Sequence, residues 1–283
     1  MIRIQRGTEP AKLSATRVTE LAKISQLGRA PTSKEITGYA IVGDELWRTQ
    51  YRKCCYCEMI IKKKFHDVEH YRPKASADCG PGCQRQYGYW WLAWTWENLL
   101  FACPNCNRSE KNDRFPLAHG SCTLQDHQTP HGQEKPLLLN PADSINPIEH
   151  IAFVYEAGKG KGKTRHWRAT PRNGSQLGLF SIDVFGLNTD ELFELRDSYY
   201  EATIAHRIKK LRAALTSDIQ SAIEEQFEEA LHLLLASQPW VALCYDALRS
   251  AIPDAELSKA LGRAWPTPNE IPLLPPKPAS PRV

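Results

Sequence analysis

Cys54-Cys55-Tyr56-Cys57 and Cys103-Pro104-Asn105-Cys106-Asn107 bracket the stretch Asp67-Val68-Glu69-His70-Tyr71-Arg72-Pro73 and Asn98, with 45 residues between the two cysteine couples. A CxxC couple turns two sulfurs toward one ion, and two such knuckles complete a tetrahedron. Cys54, Cys57, Cys103 and Cys106 are therefore the candidate ligands of a structural Zn²⁺. The two-residue spacing selects Cys54 over Cys55, which is left as a buried bystander. Thiolate zinc binding contributes on the order of 10 kcal/mol to folding, enough to hold a small module with little core of its own. The clamp gathers a base, an amide and a carboxylate on one short segment.

The bulk numbers fit that reading. In 283 residues, 42% apolar, there is material for one large domain or two modest ones, and global disorder is excluded. Net charge is only +4, but residues 1–75 hold 15 Lys/Arg against 8 Asp/Glu, so the positive excess lies up to the Glu-His step. Nine cysteines are many for a cytoplasmic chain. The start, Met1-Ile2-Arg3-Ile4-Gln5-Arg6, has no apolar signal region, and no run approaches a membrane span of roughly 18 apolar residues. With a cytoplasmic location expected, paired cysteines read as metal ligands rather than disulfides.

Phosphodiester cleavage needs an activated water, a cation on the scissile phosphate and relief of charge on the leaving oxygen. His70 is suited to take the water's proton, because imidazole titrates near neutrality. Glu69 and Asn107 offer hard oxygens to Mg²⁺ or Mn²⁺, which keep several waters and take phosphate oxygens as well. Asn98 is placed to hold the loop that aims His70. Lys111 and Arg114, four and seven residues after Asn107, share its face on a helix and are candidate phosphate contacts. Arg72 and Lys74, just after His70, are candidates for the same role.

Along the chain, residues 1–52 read as an N-terminal helical region, with helices over 9–27 and about 34–52. Val18, Leu21, Ile24 and Leu27 form the first apolar stripe. Residues 53–117 form the cysteine-bracketed module, with short strands at Met59-Ile60-Ile61 and Val68 and a helix over 104–113. Residues 118–188 read as an irregular and β connection, with strands at Leu137-Leu138-Leu139 and 151–155 and a hairpin tip at 158–163. The Gly-Lys alternation of that tip lacks the spacing of a phosphate-binding loop. Residues 189–265 are a C-terminal helical region with helices over 189–214, 216–237 and 239–251, and 266–283 is a proline-rich, disordered tail. The Tyr89–Trp96 run reads as core. Cys79, Cys83 and Cys122, with the nearby histidines, offer a second metal site as a weaker alternative, their loose spacing favouring free thiols on a loop. The fold class is α+β.

The pattern Cys57…Glu69-His70…Pro73…Asn98-Leu99…Cys103-x-x-Cys106-Asn107…Lys111 resembles the HNH endonuclease family. That resemblance implies a zinc-braced ββα-metal finger over 53–117, embedded between the two helical regions. It also implies His70 as general base, Glu69 and Asn107 as cation ligands and Asn98 as the loop-fixing amide. Two departures stand out. Glu69 occupies a position more often Asp or His, and Asn107 replaces a final His; both keep an oxygen donor. Ile4-x-x-Gly7-x-Glu9-Pro10 and Leu137-Leu138-Leu139-Asn140-Pro141 are similar to the PtuB-like branch. In that branch the nuclease works with a PtuA-type ATPase in Septu and retron-linked anti-phage systems. Nucleic acid, with DNA ahead of RNA, and such an ATPase are the implied partners; no membrane is. The rival expectations are a non-catalytic, zinc-stabilised nucleic-acid-binding adaptor and a stand-alone restriction-type HNH nuclease.

Overall fold

A computed structural model describes residues 1–62, 67–157 and 165–273. Helix α1 spans Ala11–Ser25 and follows Pro10, whose fixed φ suits the entry to a first turn. Its buried residues are Leu13, Glu20 and Ile24, while Val18 is 72% exposed. The apolar stripe expected through Val18 and Leu27 is thus rotated, because Gly38 packs against Thr16 and Glu20 on the other side. The second expected helix is split. Gly38, at φ +81°, ends the preceding loop, a 3-10 turn covers Tyr39–Val42, and helix α2 spans only Gly43–Thr49.

The cysteine-bracketed module is built on two antiparallel strands, β1 (Asp67–His70) and a later partner. Between them lies a small hairpin of β2 (Ala77–Asp78) and β3 (Gln84–Arg85), in the stretch expected to be an irregular loop. The partner strand β4 (Leu99–Ala102) is buried along its whole length and aligns Asp67 with Ala102 and His70 with Leu99. A helical segment, Asn105–Lys111, follows at once and is wound with the wider i→i+5 bonding. Gln50 holds the strand's middle, its amide donating to and accepting from the Phe101 backbone at 2.8 and 2.9 Å. Met59-Ile60-Ile61 is not a strand. It is the return arm of the first knuckle, touching Lys53 through a single bridge.

The tryptophan run forms 3-10 turns at Trp90–Leu92 and Trp96–Asn98 and is core, with Trp94 fully buried. The indole N–H groups find acceptors: Trp94 on Thr37, Trp96 on Gly7, Trp91 on Gln128 and Trp90 on Asp126. Strand β5 (Ile151–Ala157) pairs antiparallel with β6 (Arg165–Pro171); the expected hairpin tip lies outside the described residues. Leu137-Leu138-Leu139 packs into the core without joining a sheet.

The C-terminal region is helical as expected, with different bounds. Before it, helix α3 spans Gln176–Val184, opened by the Ser175 hydroxyl, within the stretch expected to be irregular or β. Helix α4 (Asp190–Tyr199) runs through a wide turn, Tyr200–Ile204, into α5 (Ala205–Ser217). Helices α6 (Gln220–Leu231), α7 (Val241–Ala251) and α8 (Asp254–Leu261) complete it. The start of the proline-rich stretch is ordered, contrary to expectation. A capping box on Thr267 starts a turn at Pro268–Glu270, Ile271 is buried, and Leu273 bridges to Leu235. Residues 274–283 lie outside the described residues. One cluster of buried apolar side chains extends from Met1 to Ile271 and so runs through all the regions. No helix among the described residues is long and apolar enough to cross a membrane.

Candidate metal centre and the cavity beside it

The thiols of Cys54, Cys57, Cys103 and Cys106 lie within 4.8 Å of one another, all four buried. Cys57 and Cys103 are 3.9 Å apart. A metal–sulfur bond of about 2.3 Å in a tetrahedron implies sulfur–sulfur edges of roughly 3.8 Å, so this set can hold a metal ion such as zinc. The first knuckle is shaped by Glu58 at φ +64° and by Cys54 N–H donating to Met59 O at 2.9 Å. Cys55 is outside the four-thiol group; its N–H donates to Phe101 O at 3.0 Å and joins the knuckle to β4. Among the described residues, Cys79, Cys83 and Cys122 take part in no comparable group.

Beside this cluster lies a cavity of about 450 Å³, lined by Tyr39, Asp67, Glu69, His70, Lys74, Asn107 and Arg108 among others. Strand alternation puts Asp67 and Glu69 on one face of β1 and His70 on the other. The helical segment covers the acidic face in register. Asn107 Nδ2 donates to Asp67 at 3.2 Å, and Lys111 Nζ lies 2.9 Å from Glu69. Residues two apart on the strand lie on one face and residues four apart on the helical segment lie on one side of it, so both pairs form together. Glu69 also accepts from Tyr56 Oη at 3.0 Å. Burial raises its carboxyl pKa above the usual range despite Lys111 and Tyr56.

His70 sits at the end of β1, 5% exposed, edge-on to the Tyr39 ring at 4.5 Å. Its Nε2 lies 3.0 Å from Ala93 O. A carbonyl only accepts, so Nε2 carries the hydrogen and Nδ1 keeps its lone pair. Burial, then Lys74 and Lys111, hold the ring well below the ordinary histidine pKa and keep it neutral. Asn98 clamps Arg72, two residues after His70, from both sides. It accepts from Arg72 N at 2.7 Å and donates to Arg72 O at 3.1 Å and Leu92 O at 3.2 Å.

The four candidate phosphate contacts separate. Lys74 lines the cavity, over the Tyr39 ring at 5.0 Å. Lys111 is fully buried, held by Glu69 and by His70 O at 3.0 Å, and presents nothing to solvent. Arg72 is bound to buried Glu134 at 2.7 Å. Arg114 lies beyond the helical segment and pairs with Asp183. Among the cavity residues that were not site candidates in the sequence are Asp67 and Arg108, whose guanidinium grips both Asp67 oxygens. The i, i+2 spacing of Asp67 and Glu69 on a strand was the available signal.

The two outlying motif segments also meet. Ile4 N–H donates to Pro141 O at 2.7 Å, and Arg6 donates to Trp96 O at 2.5 Å and to Leu99 O, which ties the N-terminal stretch to the root of β4. No family model matches the chain, and no solved structure matches it. Among curated proteins it is 30% identical over 253 residues to the Septu protein PtuB of Bacillus mycoides, covering 82% of each chain. It is 27% identical over 169 residues to the PtuB of Bacillus thuringiensis, 58% of this chain and 52% of that one. A stretch of 149 residues, 52% of this chain, is 28% identical to 19% of the Septu protein PtuA of Bacillus mycoides. The length and identity of the first match place the chain in the PtuB family of Septu proteins.

Proposed function

We propose that the chain is a metal-dependent endonuclease of the HNH type, the cytoplasmic nuclease component of an anti-phage system, acting with a PtuA-type ATPase. The observation that carries this is the bare Nδ1 of neutral His70 in a cavity that also holds Asp67, Glu69 and Asn107. Antiparallel β1 and β4 followed by the helical segment, braced by four thiols, is the order of elements expected of an HNH finger. In this reading Cys54, Cys57, Cys103 and Cys106 hold a structural zinc.

His70 Nδ1 accepts the proton of the attacking water, while Ala93 O fixes the tautomer. Asn98 keeps the backbone after His70 from rotating and so keeps the ring aimed. Lys74 and Arg108 meet the phosphates of the incoming strand. The cavity's oxygen donors suit a hard cation. Asp67 and Asn107 are the donors reached with least rearrangement, since Arg108 is 71% exposed and leaves Asp67 at little cost. Glu69 serves only by exchanging buried Lys111. Bound there, Mg²⁺ or Mn²⁺ supplies positive charge to the scissile phosphate and the leaving oxygen.

The test compares the parent with His70→Ala on duplex DNA, single-stranded DNA and tRNA, each with Mg²⁺, Mn²⁺ or EDTA, with and without the ATPase. Cleavage by the parent that is lost in the variant, at unchanged zinc content, is expected, with DNA the preferred substrate. Equal cleavage by both proteins refutes the assignment of the base.

A further inference from the structure

Helix α4 carries a fully buried arginine that forms no ion pair among the described residues. Arg196 is 0% exposed. Its Nη1 reaches Trp167 O at 3.5 Å, and its Nε and Nη2 have no hydrogen-bond partner among the described residues. The guanidinium lies 4.8 Å from the centre of the Phe153 ring. Of the carboxylates nearby, Asp197 is held by His166 and by Trp167 N–H, and Glu58 binds the Met1 amine through Oε1. A buried charge left in this state costs several kcal/mol, and burial pulls the guanidinium pKa down to about 10.

The face of α4 that carries Arg196 turns toward the thiol cluster. Leu192, one turn before Arg196 on α4, lines a cavity with Cys57, Cys103 and Cys106. Asn105 of the second knuckle donates to Glu191 of the same helix at 2.8 Å. Phe185, at the end of α3, stacks on Tyr56 of the first knuckle at 3.7 Å. Thus α3 and α4 close over the thiol cluster, and Arg196 is the cation on that cover.

We propose that Arg196 is the buried counter-charge of the metal–thiolate centre and couples metal binding to the docking of α4. The inference rests on the four cysteines binding a metal and not on the nuclease reading. A divalent ion held by four thiolates is formally a dianion. In a low-dielectric interior that dianion and the guanidinium stabilise each other, whereas protonated thiols give the guanidinium nothing to balance. Metal binding then supplies the missing partner, and by linkage Arg196 raises metal affinity.

The experiment uses the full chain, with Arg196→Met to remove charge at similar volume and Arg196→Lys to keep it. Zinc affinity is read by competition with a chromophoric chelator, and Co²⁺ substitution reports on the thiolates through their charge-transfer bands. Melting is followed with and without chelator. The expected result is a loss of zinc affinity of about tenfold or more in Arg196→Met. A smaller loss is expected in Arg196→Lys, with shifted Co²⁺ bands in Arg196→Met. The chelated Arg196→Met protein should melt no lower than the chelated parent. Equal zinc affinity in parent and Arg196→Met overturns the proposal, as does a chelated Arg196→Met that loses as much stability as its metal-loaded form. A parent that binds neither zinc nor Co²⁺ overturns the metal reading itself.

Discussion

Asn98→Ala tests how the site is held. The side chain is 3% exposed and makes three hydrogen bonds, two of them to the backbone of Arg72. Leu92 O keeps another donor, Thr95 N–H at 3.1 Å, so its loss is partial. Among the described residues, Arg72 N–H has only Asn98 Oδ1. A net value of about 1 kcal/mol for each bond, plus part of the penalty for an unmet donor, gives a loss of about 2–4 kcal/mol. For a chain of this size that lowers the melting midpoint by roughly 3–7 °C, read by calorimetry. Cleavage should fall further than stability explains, by about 100-fold at a temperature where the variant is folded, because His70 loses its fixed neighbour. Asn98→Asp sharpens the test. It keeps the size but aims a carboxylate oxygen at Arg72 O and Leu92 O, so it should be the worse of the two. A midpoint for Asn98→Ala near that of the parent, or Asn98→Asp as stable as Asn98→Ala, refutes the clamp.

Lys111→Met strands the buried Glu69 carboxylate and should cost about 3–5 kcal/mol by denaturant titration; adding Glu69→Gln should restore part of it. Cys103→Ser should lower zinc stoichiometry and stability together, while Cys55→Ser leaves stoichiometry unchanged, both measured by elemental analysis; unchanged stoichiometry in Cys103→Ser removes the clamp. Glu35 is held at about 2, first by its hydrogen bond to Arg29 and then by Thr32. Its folded value is depressed, so its contribution is present above the unfolded carboxyl value and is lost as pH falls through about 2. The midpoint gap between parent and Glu35→Gln should therefore close on acidification, and a gap constant with pH contradicts it.

What the sequence made legible is what a single ion or a single strand dictates. Two CxxC couples must converge if one cation is to use both, and the four sulfurs do. The long apolar and charged periodicities of the C-terminal region gave helices and a break before α6, expected at 215 and found at Asp218–Ile219, whereas the wide turn at Tyr200–Ile204 was invisible, since it sits inside an unbroken helical pattern. Apolar runs misled where burial comes without a ladder. Leu138 and Leu139 pack between Pro136 and Pro141 with no strand beside them, and a proline-bounded run reads the same either way.

The candidate site shows the sharper boundary. Spacing alone puts Asn107 and Lys111 on one helical face, and it does so correctly. It does not say whether that face meets water or protein. The answer depends on β1, where Asp67 and Glu69 repeat every second residue and so present two carboxylates to the same helical segment. Once that register is fixed, a lysine opposite Glu69 is buried by necessity, and an exposed arginine one place after Asn107 is left at the cavity mouth. A cation read from a helix face therefore remains ambiguous until the facing strand is counted in steps of two. Arg72 yields to the same argument: its partner, Glu134, comes from a segment 62 residues away that no local pattern connects to it.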